Sequence, residues 1–189
     1  MNNTSWWCSP YWNTFWGQAV IEIFGGTTSS LLFLFLVLFL FKPKVRVSYF
    51  LCKVQPPEQA AYFLFKFVNL SFFPAYDISV ELYKIRKIPM GDRTYNNEFS
   101  RLSLVNANIS HVAGRSFYWN KKPDNPHCVL IRSVENLSEI LSDEMTGIVL
   151  KISLKHGLTG LSKVFEREYC QESDIKKGKF KSGTKFGVI

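Results

Sequence analysis

The chain has 189 residues, of which 47% are hydrophobic and 17 are Phe, with 23 Lys and Arg against 15 Asp and Glu for a formal charge of +8. Four cysteines, at 8, 52, 128 and 170, are far apart and form no C-x-x-C, and the sequence shows no set of zinc ligands at characteristic spacing. The basic excess favours an anionic partner such as lipid headgroups, a nucleotide or RNA.

The first 18 residues are rich in aromatic rings: Trp6, Trp7, Tyr11, Trp12, Phe15 and Trp16. Trp and Tyr favour the headgroup zone of a bilayer because their rings are part apolar and part polar, so this segment is expected at the outer interface. Residues 31–41 then run without one polar side chain, as Leu-Leu-Phe-Leu-Phe-Leu-Val-Leu-Phe-Leu-Phe. A hydrocarbon core needs about 20 helical residues, and extending the run back to Ala19 supplies them. Thr27, Thr28, Ser29 and Ser30 fall inside, where their hydroxyls can return to the helix's own carbonyls. A transmembrane helix is therefore expected over 19–41. A re-entrant hairpin bent at Gly25-Gly26 and a cleaved signal peptide are the competing readings, but a signal peptide wants a basic leader, and no Lys or Arg precedes Lys42.

Orientation follows from the same charges. All 23 basic residues and 14 of the 15 acids lie beyond residue 41, a formal charge of +9. Lys42, Lys44 and Arg46 sit at the end of the span, so the N-terminus is expected outside and the remainder in the cytoplasm, at the inner (plasma) membrane. Reduced thiols on that side fit the absence of paired cysteines. The N-x-[ST] triplets at Asn69, Asn108 and Asn136 would then carry no glycan.

Residues 42–189 have the length of one domain. Alternating apolar positions predict half-buried strands. Val45, Val47, Tyr49 and Leu51 share a face; Phe63, Phe65 and Phe67 share another, with Tyr62, Leu64 and Val68 opposite. Ile78 to Ile85, Leu102 with Leu104, and Ile148 to Leu154 continue the pattern, and Phe180 and Phe186, flanked by lysines, read as a final edge strand. Pro56-Pro57 and 69–74 break the runs, and Met90-Gly91-Asp92 reads as a hairpin tip. One short helix is expected over 134–142, capped by Ser133. The expected fold is mainly β: one transmembrane helix, then an antiparallel immunoglobulin-like β-sandwich with at most one short helix.

Two stretches carry a resemblance. The run FLFKFVNLSFFPAYDISVELYKI at 63–85 and the run GIVLKISLKHGLTGLSKVFEREYCQESDIKKGKF at 147–180 are similar to the cytoplasmic immunoglobulin-like domain of inward-rectifier potassium channels. Asn69, Thr159, Gly160, Arg167, Tyr169, Ile175, Gly178 and Phe180 match by position, across roughly residues 45–187. The resemblance implies a sandwich and, through the four-fold ring such domains form under a membrane, a homo-oligomer with a tetramer favoured. It does not carry potassium selectivity: those channels have two spans and a filter of successive carbonyls, and this chain has one span and no filter-like sequence.

The search for chemistry finds no enzyme. His111, His127 and His156 are the only histidines, and His127-Cys128, as strand neighbours, would point to opposite faces. Glu135, Glu139, Asp143 and Glu144 read as a solvated helix face. No catalytic residue, metal or cofactor is assigned. Two basic clusters remain. Arg115, Tyr118, Trp119, Lys121 and Lys122 place rings beside cations, as a base-stacking, phosphate-holding loop would. Lys176, Lys177, Lys179, Lys181 and Lys185 form a run with no acid after Asp174, which edge-strand protection explains equally well. The expected function is a membrane-anchored, non-enzymatic sensor or effector. Its oligomeric sandwich binds an anionic ligand such as a signalling nucleotide and alters membrane permeability, an architecture similar to small bacterial antiviral-defence effectors. The alternatives are a tethered module that recruits a protein partner, with Phe72 and Phe73 as candidate contacts, and an auxiliary channel subunit.

Overall fold

The computed structural model describes residues 10–40, 42–92, 94–115 and 125–189, which divide into two units between Lys42 and Pro43. The first is a single helix, α1 (Pro10–Leu40). Proline suits its first turn, because the missing N–H there has no intrahelical partner to lose. The helix passes through Gly25-Gly26 unbroken, with the Thr27 hydroxyl donating to the Ile23 carbonyl, so no re-entrant bend forms. Residues 10–18, expected at the interface, belong to the same helix. Its stretch Thr14–Phe39 is 26 residues long and apolar enough to cross a membrane, and none of it is buried against the rest of the chain.

The second unit is a two-sheet sandwich. In the first sheet β3 (Tyr62–Asn69) is central. One of its sides pairs with β1 (Val45–Val47) and then β2 (Leu51–Val54); the other pairs with β7 (Cys128–Ser133). β10 (Ile175–Lys177) adds to β2 as the one parallel pair. In the second sheet β4 (Ala75–Pro89) is central, flanked on one side by β5 (Tyr95–Leu102) and β6 (Asn108–Val112) and on the other by β8 (Thr146–His156), which carries β9 (Ser162–Tyr169) at the edge. Consecutive strands thus switch sheets between β3 and β4, β6 and β7, β7 and β8, and β9 and β10. That strand order is immunoglobulin-like. The only other α-helix among the described residues, α2 (Leu137–Leu141), buries Leu137 and Leu141 in the core.

Alternation supplies that core. Phe63, Phe65, Phe67, Leu51 and Ile131 from the first sheet meet Val80, Leu82, Ile148, Leu150, Ile152 and Tyr169 from the second, all essentially inaccessible to water. The 45–51 stretch expected as one strand is broken at Ser48, which is fully buried and fully bonded. Its N–H donates to the Lys66 carbonyl (2.9 Å), its hydroxyl to the Phe50 carbonyl (2.7 Å), and its carbonyl accepts the Tyr169 hydroxyl (2.9 Å). Ser133 does not cap a helix. It lies in the β7 ladder opposite Phe63 and donates to the Ser103 carbonyl at 3.0 Å, so the helix starts four residues later. The predicted tip at Met90-Gly91-Asp92 is present, with Gly91 and Asp92 at positive φ (91° and 44°) and Thr94 N–H bonded to the Gly91 carbonyl. Asp77, at φ 49°, marks a bulge in β4 where the register with β8 shifts. The expected final strand over 179–186 is instead a narrow loop closed on itself, Lys179 against Ile189 and Lys181 against Gly187, with one bridge between Phe180 and Val188.

The Tyr169–Ser48 bond crosses from one sheet to the other, and burial pushes the Tyr169 phenol up to about 12 from 10.0. Between those two values an unfolded chain ionises this group and the folded chain does not. The stabilisation is complete below pH 10 and is lost as pH rises towards 12. Tyr169→Phe is expected to cost about 1 kcal/mol in denaturant unfolding of the detergent-solubilised chain at neutral pH, and to flatten the fall in stability between pH 10 and 12.

Candidate functional site

The basic clusters foreseen in the sequence separate in the structure. Of the first, Arg115 is exposed and its N–H is bonded to the Ser71 carbonyl (2.7 Å); Tyr118, Trp119, Lys121 and Lys122 lie outside the described residues. Among the interface residues Trp6 and Trp7 also lie outside them, as does the Trp12 side chain; Trp16 is exposed and packs edge-on against Phe15. Lys42, Lys44 and Arg46 are exposed at the start of the sandwich, where Lys44 N–H is fixed by the Ser71 hydroxyl at 2.8 Å.

The second cluster converges. β10 carries Lys176 and Lys177, and the loop that follows carries Lys179, Lys181 and Lys185, all exposed. The Lys176 ammonium sits 4.1 Å from the centroid of the Phe50 ring, a cation–π contact. Beside them an open groove of about 580 Å³ is lined by Lys53, Gln55, Lys177, Gly178, Lys179 and Ile189. Its lining carries cations and no acidic side chain. Lys53 is already engaged by the Ser138 hydroxyl at 3.2 Å. The ion pairs among the described residues are Arg101–Glu81 and Lys151–Glu166, so Lys177 and Lys179 have no acidic partner there. Gly178 takes φ 119°, and a side chain on it would meet the Ile189 carbonyl at 2.4 Å; glycine lets the chain turn at this point.

Sequence reasoning missed the residue on which this loop rests. Lys66, in the middle of β3, is 2% exposed. Its ammonium donates to the carbonyls of Lys181 (2.6 Å) and Lys185 (2.9 Å) and lies about 6 Å from the Phe180 and Phe186 rings. Burial lowers its pKa, since no carboxylate faces it to favour the charge. The available signal was the sequence itself: a lysine with Phe63, Leu64 and Phe65 before it and Phe67 and Val68 after it cannot sit in a half-solvated strand. The same burial pushes the Cys52 thiol up to about 11 and raises that of Cys128.

His156 is 2% exposed, contacts the Thr159 hydroxyl through Nδ1 (3.1 Å) and stands edge-on to Phe73; burial lowers its pKa. His127 and Cys128 are half-buried where the β7 ladder begins, and no group of three His, Cys, Asp or Glu among the described residues could hold a metal ion. Asn69 is buried, with its amide donating to the Phe73 and Ala113 carbonyls, so this triplet offers no glycan acceptor in the folded chain. Arg167 stacks its guanidinium 4.5 Å from the Tyr49 ring centroid.

No protein family and no curated protein matches this chain. Among solved structures, the sporulation control protein Spo0M from Bacillus subtilis superposes with a TM-score of 0.39 at 10% identity, over 68% of this chain and 49% of that one. The chain thus spans about half the length of that protein, and a likeness of this size carries no argument about activity.

The groove geometry makes its own demand. Lys177→Ala with Lys179→Ala is expected to weaken binding of inorganic triphosphate by the detergent-solubilised chain about tenfold and to reduce the salt dependence of the remaining affinity, as read by calorimetry at two ionic strengths. Equal affinity with and without both lysines removes the groove as an anion site.

Proposed function

We propose that the chain is a single-span, non-enzymatic membrane protein whose sandwich stands on the cytoplasmic side and binds a phosphate-bearing ligand. One observation carries the anchoring: Thr14–Phe39 is an unbroken helical stretch, apolar and long enough to span. Water does not solvate such a surface, so lipid, or further copies of the helix within lipid, covers it. The sidedness is supported by the charges, none basic before Lys42 and 23 after. The ligand class is supported by the groove at Lys177 and Lys179, whose lining includes no Asp or Glu side chain.

A lone span cannot form a conduit, so an effect on permeability requires assembly. A ring of sandwiches, with four copies favoured, would bring the helices together, and ligand binding at the groove would bias that assembly. The inner half of the helix is all Leu, Phe and Val from residue 31, so a pore built from it would close by dewetting. A second reading, a tethered module for a protein partner, is favoured by the β4–β5 ribbon. Every residue of β5 before Leu102 is exposed, and Ile88, Met90, Tyr95 and Phe99 lie open on the ribbon. Phe72, in the turn before the other end of β4, is also exposed.

Two measurements separate these. A reporter fused after Ile189 is expected to be active only inside the cell; activity outside ends the proposal. The mass of the solubilised particle is expected to be that of four chains, with triphosphate increasing dye leakage from liposomes that hold it. A monomer that leaks no dye leaves the tethered-module reading.

A further inference from the structure

The segment 179–189 lies over the outer face of the first sheet, and its manner of attachment is unusual. Its backbone hydrogen bonds run within itself, between Lys179 and Ile189 and between Lys181 and Gly187. The ladder that holds β10 to β2 ends at Lys177, followed by one bond from Gly178 N–H to the Lys53 carbonyl. Beyond that point the segment is held by side chains. Phe180 stacks on Phe50 with ring centroids 5.4 Å apart, and Phe180, Phe186 and Val188 pack over Cys52, Val54 and Leu64, a cluster separate from the main core. Asn125 donates to the Ser182 hydroxyl at 3.0 Å. Among the described residues, the Lys66 ammonium reaches up from the sheet to the segment's main chain and donates to two of its carbonyls.

We propose that residues 179–189 are a releasable strap and that Lys66 is its clasp. A continuous β-strand in this position would share a row of backbone bonds with its neighbour and could leave only with the sheet. A self-bonded loop keeps its own bonds on leaving, so its release disturbs the small outer cluster, the Lys66 contacts and the Asn125–Ser182 bond, and not the main core. Gly178, at φ 119°, stands where the strap meets β10, and Gly183, at φ 73°, lies within it. Lys179, Lys181 and Lys185 have no acidic partner among the described residues, and the two Phe rings and the Lys181 and Lys185 carbonyls at the Lys66 ammonium favour closure. Release uncovers Cys52, which is wholly inaccessible in the closed form.

Cys52 therefore reports the strap. The full chain in detergent micelles is treated with a small thiol reagent; labelling at Cys52 is followed by peptide mass mapping and amide exchange of β4 and β8 in the same sample. Labelling of Cys52 is expected to be at least about tenfold faster than exchange of the slowest β8 amides, since strap opening needs no opening of the sandwich. Lys66→Ala, and separately the pair Phe180→Ala and Phe186→Ala, are each expected to speed it a further tenfold or so while β4 and β8 exchange as before. The paired variant lies outside the main core, so it remains informative if Lys66→Ala fails to fold. Cys52 labelling no faster than β8 exchange, or unchanged in the paired variant, overturns the proposal.

Discussion

β3 is buried on both of its faces, and much of the sandwich follows from that constraint. Its inward residues, Phe63, Phe65 and Phe67, require a second sheet opposite, which β4 and β8 provide. Its outward residues, Leu64, Lys66 and Val68, are equally dry, so the first sheet cannot keep the solvated outer face usual in an antiparallel sandwich. Something must cover it. The cover has to offer apolar side chains to Leu64 and acceptors to an ammonium ion, since an unpaired buried charge is far more costly than a paired one. The 179–189 loop meets both needs, with two phenylalanine rings and two main-chain carbonyls.

The strands most visible in the sequence are those whose two faces differ. Ile148, Leu150, Ile152 and Leu154 alternate with smaller or polar neighbours, and β8 forms over them. β9 was hidden because its inward positions include Lys163 and Arg167 beside Phe165 and Tyr169: the guanidinium lies flat on Tyr49 and the ammonium over Phe165, so cations occupy places where periodicity looks for aliphatics. β5 was only glimpsed at Leu102 because it buries neither face and has no alternation to read. The 179–186 run misled in the opposite direction. Its lysines and phenylalanines alternate like an edge strand, yet Gly183, at positive φ, allows the chain to fold back on itself, and local closure prevails over pairing with a neighbour. Of the candidate site, the lysine run was legible by charge alone. The groove needed the fold, because Lys53 is over a hundred residues from Lys177 and meets it only through the parallel β2–β10 pair.

The residues that matched the channel domain prove to hold loops and junctions. Asn69 gathers the Phe73 and Ala113 carbonyls, Thr159 contacts His156, Gly160 and Gly178 take positive φ, and Tyr169 ties the sheets together. In this chain these residues serve turns and the tie between the sheets, so they bear on architecture. The proposed function rests instead on an apolar helix long enough to span a bilayer and on the lysine cluster beside the groove.

The break at Ser48 has a mechanical consequence. Any tension from the helix enters the sandwich through β1, which is only three residues long and bonded to β3 alone. The next residue in line is Ser48, where bonds to Lys66 of β3 and from Tyr169 of β9 meet. A tug entering through β1 therefore meets, within four residues, a point bonded to both layers.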